Sequence, residues 1–126
     1  MITLYQPPRT WGLPSMSPFC VKVETYLRMT GIPFTTKPGD IRRAPKGRVP
    51  YIIDSEGSSL PMGDSGFILE YLKEKHGDIL DKHLSEQERA QALAIRRMIE
   101  EHHYFVAAWL RWNDPESWEY VRAFFK

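Results

Sequence analysis

Ser17-Pro18-Phe19-Cys20 is the stretch on which the reading of this chain turns. Serine suits the N-cap of a helix. Proline suits the first helical position, where a missing N–H costs nothing. Phe19, Cys20, Val23, Tyr26 and Leu27 then recur at helical spacing. Gly31 ends the pattern and Pro33 prevents its continuation.

Outward from that helix the elements follow in order. Ile2 to Tyr5 reads as a short strand stopped by Pro7-Pro8, and Phe34 to Lys37 as a second strand. Residues 38–48 read as an irregular segment or a single helical turn. Tyr51-Ile52-Ile53 is an apolar strand, Asp54 to Gly57 a turn, and Ser58 to Met62 the returning strand of a hairpin. Asp64 and Ser65 cap a helix with apolar positions Phe67, Ile68, Leu69, Tyr71 and Leu72, closed by Gly77. Two strands joined by a helix form a parallel pair, and the hairpin adds an antiparallel edge. This order predicts an α/β, thioredoxin-like domain (β-α-β-α-β-β-α) over residues 1–76.

Residues 77–84 read as a linker. Ser85 and Glu88 stand at capping-box spacing, and a long helix is expected from Glu86 to about Trp112. Asp114-Pro115 interrupts, and Ser117 to Phe125 is a last helical candidate. Residues 85–126 are thus expected to be helical. Their Tyr104, Phe105, Trp109, Trp112 and Trp118 need something to pack on. The expectation is a homodimer through the 86–112 helix, or helices beyond a truncated end.

Composition narrows the function. Net charge is +1, with 17 basic and 16 acidic residues, which gives no general pull toward nucleic acid or anionic membrane. The single cysteine excludes an intramolecular disulfide and a multi-cysteine zinc site, and favours a reducing, cytoplasmic home. The first residues do not read as a signal peptide, and no apolar run approaches transmembrane length. His102-His103 diverge around their helix and are no metal pair, so no metal is expected.

Three segments carry candidate chemistry. Ser17 stands where unpaired N–H groups and the helix dipole favour an anion such as a thiolate. Its hydroxyl either caps the helix alone or also donates to such a sulfur; Ser15, on the preceding loop, is an alternative donor. Cys20, on the apolar side of its helix, is either packed and inert or a reactive thiol. Val49-Pro50 opens a strand. A cis bond there would turn the Val49 backbone toward an extended peptide ligand; otherwise this is an ordinary strand-entry proline. Asp64 suits an ammonium group and Ser65 a carboxylate, and a γ-glutamyl end carries both on one carbon. The alternative is a tandem cap. The basic cluster Lys37, Arg42, Arg43, Lys46 and Arg48 is a solvated loop face or an aid to an anionic ligand.

These segments resemble a known family. Ser17 to Arg28 is similar to the first helix of glutathione transferase-like proteins, most of all the metaxin and failed-axon-connections branch. Ala44 to Ile52 and Asp64-Ser65 with Ile68-Leu69-Glu70-Tyr71-Leu72 match that branch too. The resemblance implies glutathione as co-substrate, and residues 85–126 as part of an all-helical C-terminal domain. Ser17 or Ser15 would contact its sulfur, Val49 and Pro50 its cysteinyl backbone, Asp64 and Ser65 its γ-glutamyl end, and Lys46 or Arg48 its glycyl carboxylate. The implied reaction is thiol attack on a small electrophile. The alternatives are a noncatalytic metaxin-like interaction module and a monothiol glutaredoxin-like reductase using Cys20.

Overall fold

The computed structural model describes residues 1–125. Lys126, the last residue of the expected second domain, lies outside them. The chain runs β1 (Ile2–Gln6), α1 (Pro18–Thr30), β2 (Phe34–Pro38), a 3-10 turn (Pro45–Gly47), β3 (Tyr51–Asp54), β4 (Met62–Gly63), α2 (Ser65–His76), α3 (Glu86–Met98), a π-helical turn (Ile99–His103), α4 (Tyr104–Asn113) and α5 (Pro115–Phe124). Two compact units divide it, one of residues Met1–Lys82 and one starting at His83.

In the first unit the strands lie in the order β2-β1-β3-β4. β1 and β2 are parallel, with Ile2 beside Phe34. β3 is antiparallel to β1, with Leu4 beside Ile52, and β4 is antiparallel to β3, with Tyr51 beside Gly63. Alternation along β1 sends Ile2 and Leu4 to one face. Ile52, Val23, Tyr26 and Leu27 of α1, and Ile68, Leu69 and Leu72 of α2 join them in one core. This is the thioredoxin-like layout that the order of elements predicts. Elsewhere Tyr5 and Tyr51 stack with ring centroids 4.5 Å apart.

The punctuation of α1 falls where expected. Pro18 sits in its first turn, and Gly31 closes it at φ 69°, the left-handed region glycine enters freely. The hairpin differs from expectation. β4 holds only Met62 and Gly63, not Ser58 to Met62. Pro61 has no N–H to give a ladder, and the Ser58 hydroxyl accepts the Leu60 N–H at 3.2 Å, a local bond that competes with pairing. Leu60 is left 73% exposed. Phe67, an apolar position of α2 by sequence, is also exposed.

Two buried carboxylates fasten the sheet to its helices. Glu24, on α1, accepts from Gln6 Nε2 of β1 at 2.5 Å and from Arg28 Nη2 at 2.6 Å. Burial pushes its carboxyl up, but Arg28, Gln6 and Arg9 outweigh burial and hold it below the ordinary range. Asp54, at the end of β3, accepts from the Tyr71 hydroxyl at 2.6 Å, from Lys75 of α2, and from the Glu56 N–H at 3.0 Å. Its burial is likewise overcome, and its carboxyl is held far below the ordinary range.

In the second unit α3 begins with the expected capping box. The Ser85 hydroxyl accepts the Glu88 N–H at 3.3 Å, and Glu88 Oε2 accepts the Ser85 N–H at 2.8 Å. The long helix is a continuous helical path with a π turn at Ile99–His103. α5 starts at Pro115, earlier than the expected Ser117, because Asp114 caps it by accepting the Ser117 N–H at 2.9 Å. Trp112 meets Trp118 and Phe125, with ring centroids 6.1 and 6.0 Å apart. No helix among the described residues is long and apolar enough to cross a membrane.

Candidate functional site

Strand directions decide which segments meet. β1 pairs Tyr5 with Tyr51, so the C-terminal end of β1 lies beside the start of β3. The start of β3 lies beside the end of β4 through Tyr51 and Gly63. Ser17 begins the helix that returns from β1, Val49-Pro50 leads into β3, and Asp64-Ser65 follows β4. All three segments therefore stand at one end of one sheet, at two helix N-termini and a strand entry. Such an end gathers free N–H groups and the positive poles of helix dipoles.

Ser17 has the extended backbone of an N-cap, yet its hydroxyl makes no capping bond. It meets the Cys20 thiol instead, as does the Ser15 hydroxyl. Ser15 is buried, 1% exposed, and its Oγ accepts the Ser17 N–H at 3.3 Å. Ser17 is half-buried, so of the two candidate donors it is the one with access to solvent. Cys20 is fully buried. Burial pushes its thiol up; Ser17 and Ser15 draw it down, Glu24 raises it, and the net direction is up. The neutral thiol is thereby favoured, which makes Cys20 a poor nucleophile and a weak hydrogen-bond donor.

The Val49-Pro50 peptide is cis, and Pro50 is buried. Gly39 lies against this segment. A Cβ on it would stand 2.7 Å from Val49 Cγ1 and 3.3 Å from the Gln6 N. On the other side Pro45 packs over Gly63, where an added Cβ would come within 3.1 Å of the proline ring. Backbone approaches this close hold the strand entry in place from both sides.

Asp64 takes φ 69°, an uncommon conformation for a residue with a side chain, and its carboxylate accepts the Gly66 N–H at 2.8 Å. Its side chain is exposed, whereas Ser65 is buried at the first turn of α2. Lys46 and Arg48 lie on either side of Gly47 at the exposed rim of the turn before β3. The structure thus gathers Ser17, Val49, Pro50, Asp64 and Ser65 at one sheet end, sets Ser15 and Cys20 beneath Ser17, and leaves Lys46 and Arg48 at the rim. Sequence reading missed Gln6 and Glu24, which tie α1 to β1. A glutamate among apolar helix positions is the signal that could have exposed them.

A family model described as the glutathione S-transferase N-terminal domain matches residues 18–117. The chain is 48% identical over 124 residues to an isoprene-epoxide–glutathione S-transferase of Rhodococcus sp. (strain AD45), covering 94% of this chain and 51% of the relative. It is 35% identical over 118 residues to Failed axon connections of Drosophila melanogaster, covering 93% of this chain and 28% of that protein. With Metaxin-3 of Xenopus laevis the identity is 33% over 110 residues, covering 86% and 34%. The chain thus spans about half the length, or less, of these relatives. The fold recurs in a glutathione S-transferase of Rhodospirillum rubrum F11, with TM-score 0.64, 20% identity, and 79% of this chain and 45% of that one covered. It recurs also in a Sulfitobacter glutathione transferase homologue solved with bound glutathione, with TM-score 0.64, 18% identity, and 86% and 52% covered. The chain belongs to the glutathione S-transferase N-terminal domain family.

Proposed function

We propose that this chain binds glutathione at the sheet end and activates its thiol for attack on a small electrophile. The observation that carries the reading is the Ser17 hydroxyl, which the helix does not use as a cap. It is available to donate to a sulfur held over the N-terminus of α1. The Ser17 N–H donates to Ser15 Oγ at 3.3 Å, and the Ser17 and Ser15 hydroxyls both meet the Cys20 thiol, which fixes the Ser17 side chain at the N-terminus of α1. A hydrogen bond to a charged group is worth about 1.5–3 kcal/mol. Each 1.36 kcal/mol that favours the thiolate lowers the thiol pKa by about one unit.

The remaining contacts follow the shape of the tripeptide. The Val49 backbone, just beyond the last β1–β3 pair, takes the cysteinyl backbone as a strand would. The Ser65 hydroxyl and N–H take the γ-glutamyl carboxylate, and Asp64 takes its ammonium. Lys46 or Arg48 meets the glycyl carboxylate from the rim. The thiolate then forms the new C–S bond as the electrophile's leaving group departs or its ring opens. The name of the Rhodococcus relative supports an epoxide as that electrophile. In this reading residues 1–76 form the glutathione-binding domain, 77–84 the linker and 85–126 part of a helical domain in a cytoplasmic dimer.

A calorimetric glutathione titration of wild type beside Ser65→Ala tests the binding half. Saturable binding that Ser65→Ala weakens by about tenfold supports it. No binding by the folded wild type overturns it. For the chemistry, Ser17→Ala should lower conjugation at neutral pH by roughly 10- to 100-fold, the equivalent of one charge-assisted hydrogen bond. Unchanged rates in both Ser17→Ala and Ser15→Ala would remove the mechanism.

The second reading is a noncatalytic interaction module. It rests on Phe105 and Trp109, 64% and 61% exposed on α4, and on the metaxin relatives. A folded wild type without glutathione binding, which associates through α4, would favour it. The Cys20 reductase reading has the least support, because the thiol is buried and held neutral.

A further inference from the structure

One buried carboxylate partway along α1 holds two guanidinium groups. Glu24 is 1% exposed. Its Oε2 accepts from Gln6 Nε2 at 2.5 Å. Its Oε1 accepts from Arg28 Nε at 2.9 Å and Nη2 at 2.6 Å, and the same oxygen stands 3.5 Å from Arg9 Nη2. Two guanidinium groups that meet one oxygen are neighbours of like charge. Their partner is held ionised, and its single charge offsets only one of them. Among the described residues neither arginine pairs with a second carboxylate. The cluster therefore keeps a surplus positive charge.

The fold does not need the second arginine. Gln6 and Arg28 already satisfy the carboxylate with close hydrogen bonds. Arg9 stands farther off with its side chain 68% exposed, and such a contact adds little stability. Its backbone is nonetheless firmly placed. Pro7 and Pro8 precede it, and Thr10 after it is buried, with its hydroxyl donating to the Pro8 carbonyl at 3.0 Å. The Arg28 side chain is 56% exposed and lies over the Phe34 ring, 5.6 Å from its centroid, which limits the orientations of its fork. The two guanidinium groups are thus held side by side and open to solvent before any ligand arrives, so little ordering remains to be done on binding.

We propose that Arg9 and Arg28 form an anion site for a phosphate monoester, with Glu24 as the buried anchor that sets them side by side. Planar guanidinium forks match phosphoryl oxygens two at a time. A phosphoryl dianion offers three oxygens and a second charge, so it serves both forks and offsets the repulsion between them. A carboxylate monoanion has the oxygens and charge for one. The site lies about two turns along α1 from Ser17 and uses none of the residues assigned above to glutathione. A soluble phosphomonoester and a phosphatidic acid headgroup present the same chemistry, and the experiment separates them.

The test follows the arginine side-chain Nε–Hε signals by NMR while wild type and Arg9→Gln are titrated with inorganic phosphate at constant ionic strength. In wild type the Arg9 and Arg28 signals should shift and saturate. In Arg9→Gln the Arg28 signal should report binding weaker by about tenfold or more, the yield of a lost charge-assisted hydrogen bond. The unfolding midpoint should hold, because Gln6 and Arg28 still satisfy Glu24. Co-sedimentation with phosphatidylcholine vesicles, with and without phosphatidic acid, then separates the sources. Retention by phosphatidic acid that Arg9→Gln weakens marks a headgroup site; phosphate binding without retention marks a soluble ligand. A folded wild type whose arginine signals do not respond to phosphate overturns the site, as does an Arg9→Gln protein that binds phosphate as tightly as wild type.

Discussion

Gly39 shows how much a single residue can hold here. It has no side chain, and the space one would fill is occupied by Val49 Cγ1 at 2.7 Å. Gly39→Ala should therefore displace the strand entry at Val49-Pro50. The expected result is a loss of about 1–3 kcal/mol in urea unfolding, together with weaker glutathione binding in calorimetry. Legibility also divides at this scale. Ser17-Pro18, Val49-Pro50 and Asp64-Ser65 were visible in the sequence because capping and strand-entry residues carry local chemistry. The choice between Ser17 and Ser15 was not, because it depends on burial: Ser15 is 1% exposed, and a pattern of neighbours does not show depth.

Elements were legible where punctuation is local and obscure where pairing competes with side chains. α1 and the capping box of α3 follow from Pro18, Gly31, Ser85 and Glu88. β4 was misread because a turn signal alone cannot weigh Pro61 and the Ser58 hydroxyl against the ladder. The join between β3 and α2 was read as turn residues only, yet Asp54 makes it a charged staple to Tyr71 and Lys75. Its carboxyl is held below the ordinary range in the folded state, so its stabilisation is complete above the unfolded value near pH 4. That contribution is lost as pH falls from there toward the folded value. Acid titration of stability should accordingly show a loss below about pH 4 in wild type. Asp54→Asn should lower stability at neutral pH by about 2 kcal/mol and flatten that acid limb.

Over the whole molecule the two units differ in how they use apolar residues. The first unit gathers its aliphatic residues around α1 and α2. Beyond His83, Leu93, Ile95, Phe105, Val106, Trp109 and Leu110 are all more than 40% exposed. The capping box at Ser85 and Glu88 and the absence of a breaker showed the long helix in the sequence, but not what meets its apolar side. Exposed surface of this kind predicts self-association: sedimentation at rising concentration should show a dimer, and Trp109→Ser with Phe105→Ser should shift the chain to monomer. A chain that stays monomeric at high concentration would point to helices from elsewhere as the cover.

The buried thiol of Cys20 has one more use. It is the only sulfhydryl in the chain, and it lies in the first turn of α1, which has Ser17 at its N-cap position. A thiol reagent can reach it only when that first turn opens, so its rate of labelling is a clock for local unfolding at the sheet end. Glutathione seated over Ser17 would slow that clock in proportion to its occupancy. Glutathione binding there would thus be readable from the protein's own thiol, with no foreign label and no substrate turnover.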